Sequence, residues 1–91
     1  TSLMKAAKNG HDLCVLELIK AKADLEKQSA KGSTALIFAA PNGHDLCLRA
    51  LLKAGADRAR EIPGYAGWNA LKLAERNGHA AVCELLKGPL T

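Results

Sequence analysis

Apolar residues along the chain fall in offset pairs. Cys14, Val15, Leu18 and Ile19 stand at i, i+1, i+4 and i+5, and Cys47, Leu48, Leu51 and Leu52 repeat that spacing. On a helix of 3.6 residues per turn such a quartet shares one face, so each stretch predicts an amphipathic helix. Ahead of each quartet lies a shorter apolar stretch with paired small residues, Ala6-Ala7 and Ala39-Ala40, which let a neighbouring helix approach closely. Thr1, Thr34 and Asn69 are placed to cap these first helices, and Asn-Gly breaks the chain before the second helix begins. One such pair cannot bury its own apolar face, so the pattern demands neighbours.

The neighbours are copies of the same unit. Leu36 to Cys47 restates Leu3 to Cys14 at an offset of 33 residues, and Leu71 to His79 follows 35 residues after the second copy. The two additional residues must lie between Asp57 and Asn69, in a loop. The copies run over about residues 1–33, 34–66 and 67–91, as one domain. Terminal repeats should turn polar where they have no neighbour. Lys5 stands where the other copies have Phe38 and Leu73, the mark expected of an amino-terminal cap. Glu75 replaces Ala7 and Ala40, Lys87 replaces Ile19 and Leu52, and Gly88-Pro89 stops the last helix. The expectation is a self-contained domain, cut from a longer chain because residue 1 is not Met. Leu16 fits this poorly, since Arg49 and Glu84 hold its place in the other copies.

These features resemble the ankyrin repeat over essentially the whole chain. The family's Thr-Pro-Leu-His-x-Ala-Ala opening appears as Thr1-Ser2-Leu3-Met4-Lys5-Ala6-Ala7 and as Thr34-Ala35-Leu36-Ile37-Phe38-Ala39-Ala40, its helix junction as Gly43-His44, and its turn as Gly55-Ala56-Asp57. The resemblance implies an all-α solenoid of three helix-turn-helix repeats joined by extended β-turn or hairpin-like loops. The opening lacks its Pro and His, Lys22 stands where the turn prefers Gly, and Pro41 falls late in a first helix. A left-handed Lys22 costs about 1 kcal/mol. Pro41 removes one helical hydrogen bond near the helix end.

Composition narrows the function. Aromatic residues are 3% of the 91, so the core rests on Leu, Ala, Val and Ile. No run of eighteen apolar residues or secretory leader occurs, which points to an intracellular protein, cytoplasmic or nuclear, without a membrane partner. Cys14, Cys47 and Cys83 each sit in an apolar helical stretch and are read as reduced core thiols. His11, His44 and His79 recur one repeat apart, about 10 Å in stacked helices, too far to share a metal. No phosphate loop, dinucleotide fingerprint, zinc motif or nucleophile pattern is present, so no enzyme, cofactor or metal is expected.

In the ankyrin family, partners meet the turn tips and the inner face of the first helices. The inner surface here includes Ala66, and the residues expected to contact a partner are Lys31, Ser33, Arg58, Arg60, Tyr65, Trp68, Lys72 and Arg76. Tyr, Trp and Arg dominate interface hot spots, and the loop Arg58 to Gly67 is stiffened by Pro63-Gly64. Tyr65 and Trp68 are therefore either anchors for a partner or covers for the edge of the stack, and the sequence weighs these equally. Eight basic residues face five acidic ones on the turns and first helices, against five and four on the second helices. This favours an acidic partner segment. The leading expectation is a monomeric, non-catalytic protein-interaction module. Behind it stands a regulatory or targeting segment of a larger enzyme, channel or transcription factor. RNA or anionic-ligand binding ranks last, because acids interrupt the basic residues and only two aromatics are placed to stack bases.

Overall fold

The computed structural model describes residues 1–65 and 67–88; Ala66 and the Pro89 stop, both singled out above, lie outside the described residues. Among the described residues six helices form three pairs: α1 (Ser2–Asn9) with α2 (Asp12–Lys20), α3 (Ala35–Ala39) with α4 (Asp45–Lys53), and α5 (Ala70–Arg76) with α6 (Ala80–Lys87). Helices α1, α3 and α5 stack side by side in one layer, and α2, α4 and α6 in a second. No strand occurs among the described residues. The loops close instead through hairpin-like bonds: Ser29 N–H donates to Ser33 O at 2.8 Å, and Ile62 N–H to Trp68 O at 2.9 Å. These two bonds are equivalent in the repeat, but the second encloses two more residues. That places the insertion at the loop tip, within 63–67.

Alanines set the spacing of the inner layer. Ala7, Ala39, Ala40 and Ala74 are wholly buried, so neighbouring first helices approach with only a methyl group between them. Leu36, Leu48, Leu51, Val15 and Val82 fill the space between the layers. Burying a Leu or Val side chain in this way contributes about 1.5–3 kcal/mol. Leu16 remains 43% exposed on the outer surface, as its substitution pattern predicts.

Helix ends follow the sequence with two differences. Met4 N–H donates to Thr1 Oγ1 at 3.2 Å and Lys72 N–H to Asn69 Oδ1 at 3.0 Å, closing the first turns of α1 and α5. Thr34 holds the N-cap position of α3, but its hydroxyl makes no bond to the first turn; the side chain is buried between repeats instead. Pro41 has a larger effect than one missing bond: α3 is five residues long, against eight in α1 and seven in α5. Proline cannot donate to the carbonyl four residues back, and the helix stops before it. Asn42 Nδ2 reaches back to Phe38 O at 2.8 Å and satisfies one of the carbonyls released. Lys22 is left-handed at φ 62°, where the second repeat has Gly55 at φ 98°.

The cysteines divide. Cys47 and Cys83 are buried, but Cys14 is exposed, which corrects its reading as a core residue. Its position faces the amino side of the repeat, and only the second and third repeats have a neighbour there. Burial, reinforced by the carboxylates of Asp12 and Asp45, pushes the Cys47 thiol up, so this sulfur stays protonated.

Candidate protein-binding groove

Two loop tips and one helix build a groove on the inner side of the stack. The tips dock because Gly32 has no side chain: a Cβ at this position would lie 2.5 Å from the Pro63 ring. With the tips held together, Lys31 and Ser33 from the first loop face Ile62, Tyr65 and Trp68 from the enlarged loop, over Leu73 and Arg76 of α5. The resulting cavity is about 510 Å³ and mostly apolar.

Tyr65 and Trp68 take different roles in its wall. Tyr65 is 63% exposed, with its ring available to a ligand. Trp68 is half-buried, and the Arg76 guanidinium lies 5.3 Å from its ring centroid. This cation–π contact orients Arg76 beside the groove. Neither Lys31 nor Arg76 enters an ion pair among the described residues. The groove thus has an apolar floor and two cations at its edge.

Five of the eight residues expected to contact a partner meet here: Lys31, Ser33, Tyr65, Trp68 and Arg76. The other three are engaged elsewhere. Arg58 donates to Leu86 O and Gly88 O, each at 2.6 Å, and so ties the enlarged loop to the end of α6. Arg60 pairs with Glu26 at 3.2 Å, while the other Glu26 oxygen accepts from Asp57 N–H at 2.9 Å, a link between successive turns. Lys72 is exposed at the position that Met4 and Ile37 bury in the earlier repeats, on the carboxyl side of α5 and outside the groove. Ile62 and Leu73 also line the groove, although nothing in their spacing along the chain brings them together. Leu73 was legible only as the counterpart of Phe38, and Ile62 only as part of the enlarged loop.

Two of the three histidines, His44 and His79, are bound to the stack. The His44 ring donates through Nε2 to Lys8 O at 2.9 Å, and the His79 ring to Pro41 O at 2.8 Å. Each ring lies against the glycine of the preceding repeat, since a Cβ on Gly10 or Gly43 would come within 2.7 Å of it. The Gly-His pair therefore works between repeats, with His satisfying a helix-end carbonyl and Gly making room for it. No metal-binding cluster of His, Cys, Asp or Glu occurs among the described residues.

Comparison with known proteins agrees with this geometry. A family model for ankyrin repeats, three copies, matches residues 3–89. The chain belongs to the ankyrin repeat family. Among solved structures it is similar to the crystal structure of the human ASB11 ankyrin repeat domain, with a TM-score of 0.87 and 28% sequence identity. The match covers 94% of this chain and 38% of that one. No curated protein matches the sequence. Ankyrin repeats are protein-interaction modules, and no helix among the described residues is long and apolar enough to cross a membrane.

Proposed function

We propose that this domain binds an acidic, extended segment of another protein in the groove between the loop tips and α5, as a monomer and with no chemistry of its own. The observation that carries this reading is the exposed Tyr65 beside an apolar floor, flanked by Lys31 and Arg76. An aromatic anchor supplies contact area at low entropic cost, and unpaired cations at a rim steer and orient an anionic ligand.

Trp68 is the chain's single tryptophan and lies in the groove, so its emission reports directly on occupancy. A panel of acidic peptides carrying one apolar anchor residue should shift that emission, and their amide counterparts should not. Tyr65→Ala should weaken the best peptide by roughly 10-fold or more, as expected for a hot-spot aromatic. The charge reversal Lys31→Glu should slow association and reduce its salt dependence. Binding that is indifferent to both changes would place the site elsewhere.

A further inference from the structure

A second apolar surface lies at the amino-terminal side of the stack, and the molecule itself shows what fits it. A groove of about 570 Å³ opens between α1 and α2, with Ala6, Cys14 and Leu18 along its floor. In the next two repeats the same positions are filled by the neighbour. Cys47 and Val82, the counterparts of Cys14, are each 1% exposed, and Leu51 and Leu86, the counterparts of Leu18, are 0% and 4% exposed. The His11 ring is exposed and, among the described residues, makes no bond to a carbonyl, whereas His44 and His79 each take one from the repeat before.

Polar substitutions on this face do not close it. Lys5 and Glu17 replace Phe38 and Ala50 in the second repeat and Leu73 and Leu85 in the third, all of which stay half-exposed even between repeats. These are rim positions, where a Lys stem lies along apolar surface and its ammonium stays in water. Ser2 is the exception, a small hydroxyl where Ala35 and Ala70 are buried.

We propose that the amino-terminal face receives a further ankyrin-type repeat, stacked in the register of the internal interfaces, whose first helix ends in a carbonyl for His11 and a glycine beneath its ring. The face continues an interface that the chain already makes twice. The ASB11 ankyrin repeat domain is longer than this chain, which matches 38% of it. A second copy stacked head to tail does not fit as occupant, because its carboxyl-side face carries Lys72, Glu75 and Lys87 at the positions that would be buried. On this proposal the three repeats are not self-contained at their amino end.

The test extends the chain with its own first repeat. A copy of residues 1–33, with its cysteine changed to serine, is placed directly ahead of Thr1. Stacking should raise the melting temperature by roughly 5 °C or more and slow alkylation of Cys14 by at least ~10-fold. Cys14→Glu in the extended protein should remove most of the thermal gain. Unchanged melting with Cys14 still reactive would overturn the proposal. So would dimerisation of the 91-residue chain with Cys14 protected, which would make a second copy the occupant.

Discussion

The two ends of the stack are built differently at equivalent depth. On the amino side the charged residues Lys5 and Glu17 stand at the rim, and the central positions keep Ala6, Cys14 and Leu18. On the carboxyl side charge reaches the centre: Lys72 takes the place of Met4 and Ile37, Glu75 that of Ala7 and Ala40, and Lys87 that of Ile19 and Leu52. Met4, Ile37, Ala7, Ala40 and Leu52 are all buried in their own repeats. A charge at such a place makes burial costly unless it finds a partner, so a further repeat of the same kind would bury these three at a cost. Arg58 adds a local closure there, since its guanidinium occupies the Leu86 and Gly88 carbonyls at the end of α6. Counting polar substitutions would call both ends capped; their depth separates them.

The sharpest way to break this comparison is to remove the same side chain at a covered and an uncovered position. Leu51 is fully buried between repeats, and Leu18, its counterpart, is half-buried at the amino face. Leu51→Ala should cost about 3–4 kcal/mol in urea unfolding, through lost transfer free energy and a residual cavity. Leu18→Ala should cost about 1 kcal/mol, because water already reaches the site. Equal losses would mean that the amino face is covered in the 91-residue chain itself.

Glycine substitutions test the contact between repeats separately from backbone conformation. Gly43 and Gly78 share a left-handed backbone, φ 70° and 72°. A Cβ on Gly43 would meet the His79 ring at 2.7 Å, whereas nothing lies within 4 Å of one on Gly78. Gly78→Ala should therefore lose only the conformational term, about 1 kcal/mol. Gly43→Ala should lose that and displace the ring from Pro41 O, for a total of about 2–3 kcal/mol by thermal or urea unfolding. If the two variants were equally destabilised, the histidine contact would contribute nothing to stacking.

Most of the repeat architecture was legible because its signals are local: apolar spacing, capping residues and the Asn-Gly breaks each act within a few residues. The left-handed Lys22 and the exposed Leu16 were legible for the same reason. The groove was harder to read, because Arg58, Arg60 and Lys72 qualify by residue type and differ only in what they touch. Arg58 reaches a helix end 28 and 30 residues away, and Arg60 pairs with a carboxylate 34 residues away. Cys14 was misread because its sequence neighbourhood matches that of Cys47, while its exposure depends on whether another repeat lies beside it.

The smallest effect concerns the turn after α2, where the first repeat differs from the second. Lys22 and Gly55 close their helices with equivalent bonds: Lys22 N–H to Ile19 O at 2.9 Å and Gly55 N–H to Leu52 O at 3.0 Å, followed by Ala23 N–H to Leu18 O and Ala56 N–H to Leu51 O, both at 3.0 Å. The hydrogen bonding is therefore matched, and the lysine bears only the steric cost of φ 62°. Lys22→Gly should stabilise the protein by up to about 1 kcal/mol, less the entropy that glycine adds to the unfolded chain. Gly55→Lys, which moves the first repeat's turn into the second, should destabilise by a similar amount. Because neither Lys22 nor Gly55 lines the amino-side groove, neither change should alter the reactivity of Cys14. A change in that reactivity would show that the first repeat opens as a unit, with α2 moving in step with its turn.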